Sequence, residues 1–173
     1  TTITVEDKQA PTLDDLSDRE EITDTDFCTY THSGTDWDPT DNCGTVSSKT
    51  YTLSGATSAI TSPNTTLDGQ VFEKGTTTVI WTAIDDSGNM DVTTFNVIVS
   101  DEEKPEFTSC PGNITQVVSI SGGTSATVSS IPLPEYDDNC SVTKLTYSFS
   151  GATTLAEQES GINTFTSDDF NVG

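Results

Sequence analysis

The sequence is short of basic residues: six lysines and arginines stand against 28 aspartates and glutamates, for a formal net charge of -22 over 173 residues. Such a surface repels phosphate backbones and no basic patch interrupts it, which argues against nucleic acid as a partner. An anionic membrane surface is disfavoured on the same ground, and a cation is the natural counterpart. Long hydrophobic runs are missing as well. No apolar stretch approaches the roughly 20 residues of a spanning helix, so no membrane insertion is expected, and no signal-peptide pattern opens the chain. His32 is the only histidine. A Ser-His-Asp arrangement would hang on it alone, and no Gly-x-Ser-x-Gly elbow or base-orienting partner accompanies it. A lone loop histidine is expected at the surface. Carboxylates for glycoside hydrolysis are available by number, but a thin module of this size offers no obvious cleft to pair them in. The chain reads as non-catalytic.

What remains is rich in Thr, Ser and Gly, with 31% hydrophobic residues and a mean hydropathy of -0.37. Without a helical period, this composition predicts an all-β protein built from thin β-sandwiches. The most regular stretch is Val79–Pro105. Val79, Trp81 and Ala83 alternate with Ile80, Thr82 and Ile84, and Val92, Phe95, Val97 and Val99 follow an acidic turn. β-branched and aromatic residues of this kind predict a half-buried hairpin with Trp81 in the core. Further strands are expected over Phe27–Thr31, Val46–Leu53 and Leu67–Glu73, with a polar loop from Ser33 to Asn42. Asp14–Asp26 is ambiguous and holds at most a helical turn.

Four cysteines fall as Cys28 with Cys43 and Cys110 with Cys140. Neither spacing is a CxxC pattern, and two thiols per unit cannot close a tetrahedral zinc site. Two disulfides in an exported protein is the reading, with reduced buried cysteines as the alternative. A bridge closing a loop of about 15 residues stabilises by roughly 3 kcal/mol in the chain-entropy view.

The chain repeats itself. Asp7 and Pro11 recur as Asp101 and Pro105, each 94 positions on; Asp41-Asn42-Cys43 recurs as Asp138-Asn139-Cys140, 97 on. Tyr51 matches Tyr147, and Ser54-Gly55-Ala56-Thr57 matches Ser150-Gly151-Ala152-Thr153, each 96 on. Anchors in constant order predict tandem units of immunoglobulin-like size. Residues 1–9 then form the last strand of a preceding repeat, 10–101 a complete repeat, and 102–173 a second repeat lacking its closing hairpin.

These anchors carry a resemblance. Cys110-Pro111, the Asp138-Asn139-Cys140 box, Gly75-Thr76-Thr77-Thr78-Val79, Asp85-Asp86-Ser87-Gly88-Asn89 and Val99-Ser100-Asp101 with Pro105 resemble the hyalin-repeat (HYR) module, an immunoglobulin-like β-sandwich. The first unit departs from that pattern, with no Cys-Pro after Pro11. Its Cys28-x-Tyr30, Asp41-Asn42-Cys43-Gly44 and Tyr51-x-x-x-Gly55 are similar to arrays in giant surface adhesins of gliding bacteria. The resemblance implies an extracellular, cell-surface location and a role in adhesion or gliding motility. Its expected partners are neighbouring repeats of the same chain and a surface polysaccharide or substratum.

If each unit is a sandwich, strand parity puts its first residues, the Ser33–Asn42 loop and the Asp85–Asp91 turn at one end. Glu6, Asp7, Asp36, Asp38, Asp41, Asp85, Asp86 and Asp91 would then converge, while Asp101 and Glu103 would face Asp137 and Asp138 at the next junction. Crowded carboxylates repel unless a cation neutralises them, and calcium takes six to eight such oxygens. The other reading is a set of solvated turns needing no metal. Tyr30 and Trp37 are candidates for stacking on a sugar ring, against packing over a disulfide. An accessory role beside a secreted hydrolase is a further alternative.

Overall fold

The computed structural model describes residues 1–13, 16–36, 38–58, 64–115, 123–128, 131–165 and 168–171. Among them every regular element is a strand, and the chain forms two compact units, Thr1–Glu103 and Lys104–Gly173. The boundary falls within the acidic Asp101–Pro105 stretch.

The first unit is built on the hairpin of β5 (Gly75–Asp85) and β6 (Met90–Ser100), numbered in chain order. Thr77, Val79, Trp81, Ala83 and Asp85 point inward from β5, and Thr93, Phe95, Val97 and Val99 from β6. This alternation is the two-residue period of a strand with one buried face. β3 (Val46–Gly55) pairs antiparallel with β5 and adds Tyr51 and Leu53 to the same face. On the other side β1 (Arg19–Ile22) runs parallel to β6, giving the sheet order β1-β6-β5-β3.

A smaller sheet joins β2 (Thr29–Thr31) to β4 (Val71–Glu73). Its inward residues, Tyr30 and Phe72, pack into the core formed by Tyr51, Leu53, Leu67, Val79, Trp81, Phe95, Val97 and Val99. Phe72 is 1% exposed and its ring lies 6.4 Å from that of Tyr30. Tyr51 tilts against Trp81 at 5.0 Å, and the Lys49 ammonium sits 5.4 Å above the Trp81 ring. Trp81 is a core residue, as its strand position predicts.

Three expectations are corrected. Asp14–Asp26 contributes no helical turn among its described residues; it supplies β1, whose sequence Arg-Glu-Glu-Ile pairs through its backbone with the edge of β6. Charged side chains suit an edge strand, and they conceal it from a hydrophobic pattern search. Only Val71–Glu73 of the expected Leu67–Glu73 strand is extended, because a turn intervenes at Asp68-Gly69, where Gly69 takes a positive φ of 78°. His32 is buried, not at the surface. It continues the alternation of β2, with its N–H donating to the Gln70 carbonyl at 2.8 Å and its Nδ1 lying 3.4 Å from the Tyr30 hydroxyl.

The cysteines differ too. Cys28 and Cys140 are disulfide-bonded, while Cys43 and Cys110 are exposed free thiols, so Cys28–Cys43 and Cys110–Cys140 are not formed. Sequence spacing limits which cysteines can meet, but the direction of each Cα–Cβ bond decides which do. Cys43 is turned by its own Asp-Asn-Cys bend, where its N–H donates to Asp41 Oδ1 at 2.8 Å.

The second unit pairs β7 (Glu106–Ser109) with β9 (Glu135–Asp137) and β8 (Ser125–Val128) with β10 (Asp168–Asn171), both antiparallel. Val128 and Leu145 are buried there. Four aromatic rings cluster in the same unit: Phe149 lies 5.6 Å from Tyr147, 5.7 Å from Phe165 and 4.8 Å from Phe170.

Candidate metal centre

The β5–β6 turn creates the site. Asp85, the last residue of β5, continues the inward alternation and is 2% exposed. A carboxylate in that position needs donors, and the next four residues provide them. Asp85 Oδ1 accepts the N–H groups of Ser87 and Asn89, each at 2.8 Å, and Oδ2 accepts Asn89 Nδ2 at 2.8 Å. Burial pushes the Asp85 carboxyl up, but hydrogen bonds from Asn89, Ser87 and Gly88 outweigh it and hold the group below the ordinary carboxylate value. Gly88 carries the positive φ, 87°, that closes the turn. Asp85 is therefore an anion held in place by its own loop.

Two further carboxylates meet it there. One carboxylate oxygen from each of Asp7, Asp41 and Asp85 lies within 4.8 Å of the other two. Asp41 comes from the loop before β3 and Asp7 from the segment that precedes the first paired residue, Thr12, whose N–H donates to Thr40 O at 2.8 Å. Each of the two incoming side chains is anchored by one oxygen: Asp7 Oδ1 accepts the Gln9 N–H at 3.1 Å, and Asp41 Oδ1 accepts that of Cys43. The other oxygen of each, Asp7 Oδ2 and Asp41 Oδ2, is buried and has no hydrogen-bond partner among the described residues.

That combination is costly without a cation. Three carboxylates at this separation repel, and a buried oxygen without a donor forfeits its hydration. The donor set is all oxygen, with neither imidazole nor thiolate, which suits a hard cation. Calcium accepts several carboxylates in irregular geometry, completing its shell from backbone carbonyls and water. Asp85 Oδ2, which accepts one hydrogen bond, keeps a lone pair for such a role, whereas Oδ1 already accepts two.

The other candidate residues are engaged elsewhere. Glu6 pairs with Lys8 at 2.8 Å, and Asp38 with Lys49 Nζ at 2.9 Å. Asp36 Oδ1 accepts the Leu67 N–H at 2.8 Å, and Asp86 Oδ2 accepts the Thr45 hydroxyl at 2.6 Å. Asp91 accepts the N–H groups of Val92 at 2.9 Å and Leu13 at 3.3 Å, which ties the incoming chain to β6. Asp101 pairs with Lys74 at 3.1 Å, and Glu103 accepts the Asp26 N–H at 3.2 Å. In the second unit Asp137 accepts the Asp138 N–H, and Asp138 accepts those of Cys140 and Ser141. Sequence parity brings together the three segments that carry Asp7, Asp41 and Asp85 but does not say which carboxylate of each points inward. Asn89 is the residue it misses: a turn former by composition, it is the donor that fixes Asp85.

Of the aromatic candidates, Tyr30 is stacked on Phe72 and contacts the edge of the His32 ring at 6.2 Å. Burial, then the negative charge of Glu21, raises its hydroxyl above the ordinary tyrosine value. Trp37 lies outside the described residues. Comparison of the chain with protein-family models, with characterised proteins and with solved structures finds no match.

Proposed function

We propose that the chain is a non-catalytic segment of tandem immunoglobulin-like β-sandwich modules, acting as a calcium-stiffened spacer in an extracellular surface protein. The observation that carries the calcium reading is the Asp7, Asp41 and Asp85 cluster, with two of its oxygens buried and unpartnered. The cation would neutralise the cluster and fix the end of the module at which it lies.

The repeat reading is supported by local geometry recurring at matched positions. Asp7 and Asp41 bend onto the N–H two residues ahead; Asp101 accepts the Glu103 N–H at 3.1 Å and Asp138 that of Cys140 at 3.0 Å. Thr12 pairs with Thr40, and the aligned Glu106 pairs with Asp137. Tyr30 pairs with Phe72, and the aligned Ala126 pairs with Phe170. Gly55 and Gly151 share positive φ values of 106° and 101°. Extracellular placement, adhesion and gliding motility rest on the resemblance to hyalin-type repeats. The alternative of a carbohydrate- or protein-binding surface at Tyr30 and Trp37 is weakened by the engagement of Tyr30 with Phe72 and His32.

Thermal melts with calcium and with EDTA test the reading. Extracellular calcium modules bind with dissociation constants of about 10⁻⁴–10⁻³ M. At about 10 mM calcium, binding to the folded state then stabilises by roughly 1.4–2.7 kcal/mol, a rise in Tm of about 6 °C or more. The variants Asp7→Asn and Asp41→Asn should lose most of it. An unchanged Tm, with no binding heat by calorimetry, would overturn the proposal.

A further inference from the structure

The cluster joins parts of the molecule that are attached very differently. Asp85 and Asp41 belong to the hairpin turn and the loop before β3. Asp7 belongs to residues 1–9, which take part in no strand. Packing does not hold that segment either, since Ile3 is 86% and Val5 89% exposed. The chain becomes fixed only at Pro11, which is fully buried, and at Thr12, which pairs with Thr40. Before that point, the hydrogen bond linking the segment to the hairpin among the described residues is a long one, from Asn89 Nδ2 to the Asp7 carbonyl at 3.4 Å.

From this we infer that the cation site is a clasp whose occupancy sets the mobility of the segment ahead of Pro11, an inference that rests on the calcium reading above. The second observation beyond the acidic cluster is the pair of buried, unpartnered oxygens, one on each side of the clasp: Asp7 Oδ2 on the segment and Asp41 Oδ2 on the module. A cation held by both draws the segment against the turn. Without it, two anions face Asp85, each with one buried oxygen that no donor compensates. Of the three, Asp7 alone sits in a segment that belongs to no strand, so repulsion is relieved by displacing that segment about Gln9–Pro11. Calcium concentration is thereby converted into stiffness at the start of the module, while the β5–β6 hairpin and its core stay as they are.

Backbone ¹⁵N relaxation on the 173-residue chain, with calorimetry under the same conditions, tests this directly. In excess calcium the order parameters of Val5–Lys8 should approach those of rigid backbone, about 0.85, and in EDTA fall below about 0.6. Residues of β5 and β6 should be unchanged. Asp7→Asn should weaken calcium binding by about tenfold or more, because affinity follows the ligand charge count, and leave Val5–Lys8 mobile in both conditions. If calorimetry shows binding while the order parameters of Val5–Lys8 do not change, the clasp is refuted and the cation site stands. If no calcium binds, the cation reading fails and the clasp fails with it.

Discussion

Replacing Phe72 by alanine should remove the contact that closes the smaller sheet over the larger one. Phe72 is 1% exposed, stacks on Tyr30 and stands in the three-residue strand β4, whose neighbouring Val71 is 43% exposed. A buried Phe→Ala change costs about 3–5 kcal/mol, as lost transfer energy plus the cavity left behind. The lost ring pairing with Tyr30 belongs within that figure and is not added to it. Against a domain stability of about 5–15 kcal/mol, a loss of roughly 4 kcal/mol leaves the first unit marginal. With a denaturant slope of about 2 kcal/mol/M in urea, the midpoint should fall by about 2 M. Val71→Ala, one residue away on the opposite face, should change stability by no more than about 0.5 kcal/mol. Both tryptophans, Trp37 and Trp81, belong to the first unit, so their fluorescence follows its unfolding. Equal midpoints for Phe72→Ala and Val71→Ala would refute the inward placement of β4 and the two-sheet core with it.

Three other outcomes follow from local geometry. Gly55 has a φ of 106°, and an added Cβ would lie 2.5 Å from the Thr76 carbonyl oxygen, whereas Gly151, at 101°, meets no heavy atom within 4 Å. Positive-φ strain costs each alanine variant about 1–3 kcal/mol, and the clash should make Gly55→Ala the more damaging in urea titrations; equal losses would argue against the close approach of β3 and β5. Ellman's reagent should find two reactive thiols per native chain, Cys43 and Cys110, and a count of zero would show them bonded. Asp18 accepts the Asn96 N–H at 2.7 Å and Asn96 Nδ2 at 3.2 Å, and these bonds, the backbone one foremost, hold its carboxyl below the ordinary value. Its contribution to stability is therefore complete above the unfolded value near 4 and is lost as pH falls through the lower folded one. Asp18→Asn should flatten that part of an acid titration of the urea midpoint, and an unaltered profile would remove Asp18 from the account.

The β5–β6 hairpin is legible in the sequence because both of its determinants are local. A two-residue period of Val, Trp and Ala, then of Phe and Val, marks the buried face, and Asp-Ser-Gly-Asn marks the bend. β1 is not legible, because an edge strand pairs through its backbone and needs no side-chain pattern; Arg-Glu-Glu-Ile becomes a strand only where β6 leaves an edge open. His32 is missed for a related reason. Its burial follows from continuing the alternation of Tyr30, and β2 is too short for that alternation to register as a period. Cysteine pairing depends on the directions of four Cα–Cβ bonds, to which spacing is blind.

The acidic cluster lies between these cases. That the first residues, the loop before β3 and the β5–β6 turn share one end follows from counting strand directions, and the structure brings Asp7, Asp41 and Asp85 within reach of one ion. Counting does not choose among eight acids, because each loop carries surplus carboxylates whose alternatives are local. Lys8 takes Glu6, Lys49 takes Asp38, and Thr45 takes Asp86. The three acids left to the cluster have in common a tight bend that uses one oxygen on an N–H two residues ahead, at Gln9, Cys43 and Ser87. An aspartate so engaged cannot rotate away to solvent without breaking its own turn. Among these eight acids, Asp-x-(N–H) bends, more than acidity itself, mark the three carboxylates that the structure brings together.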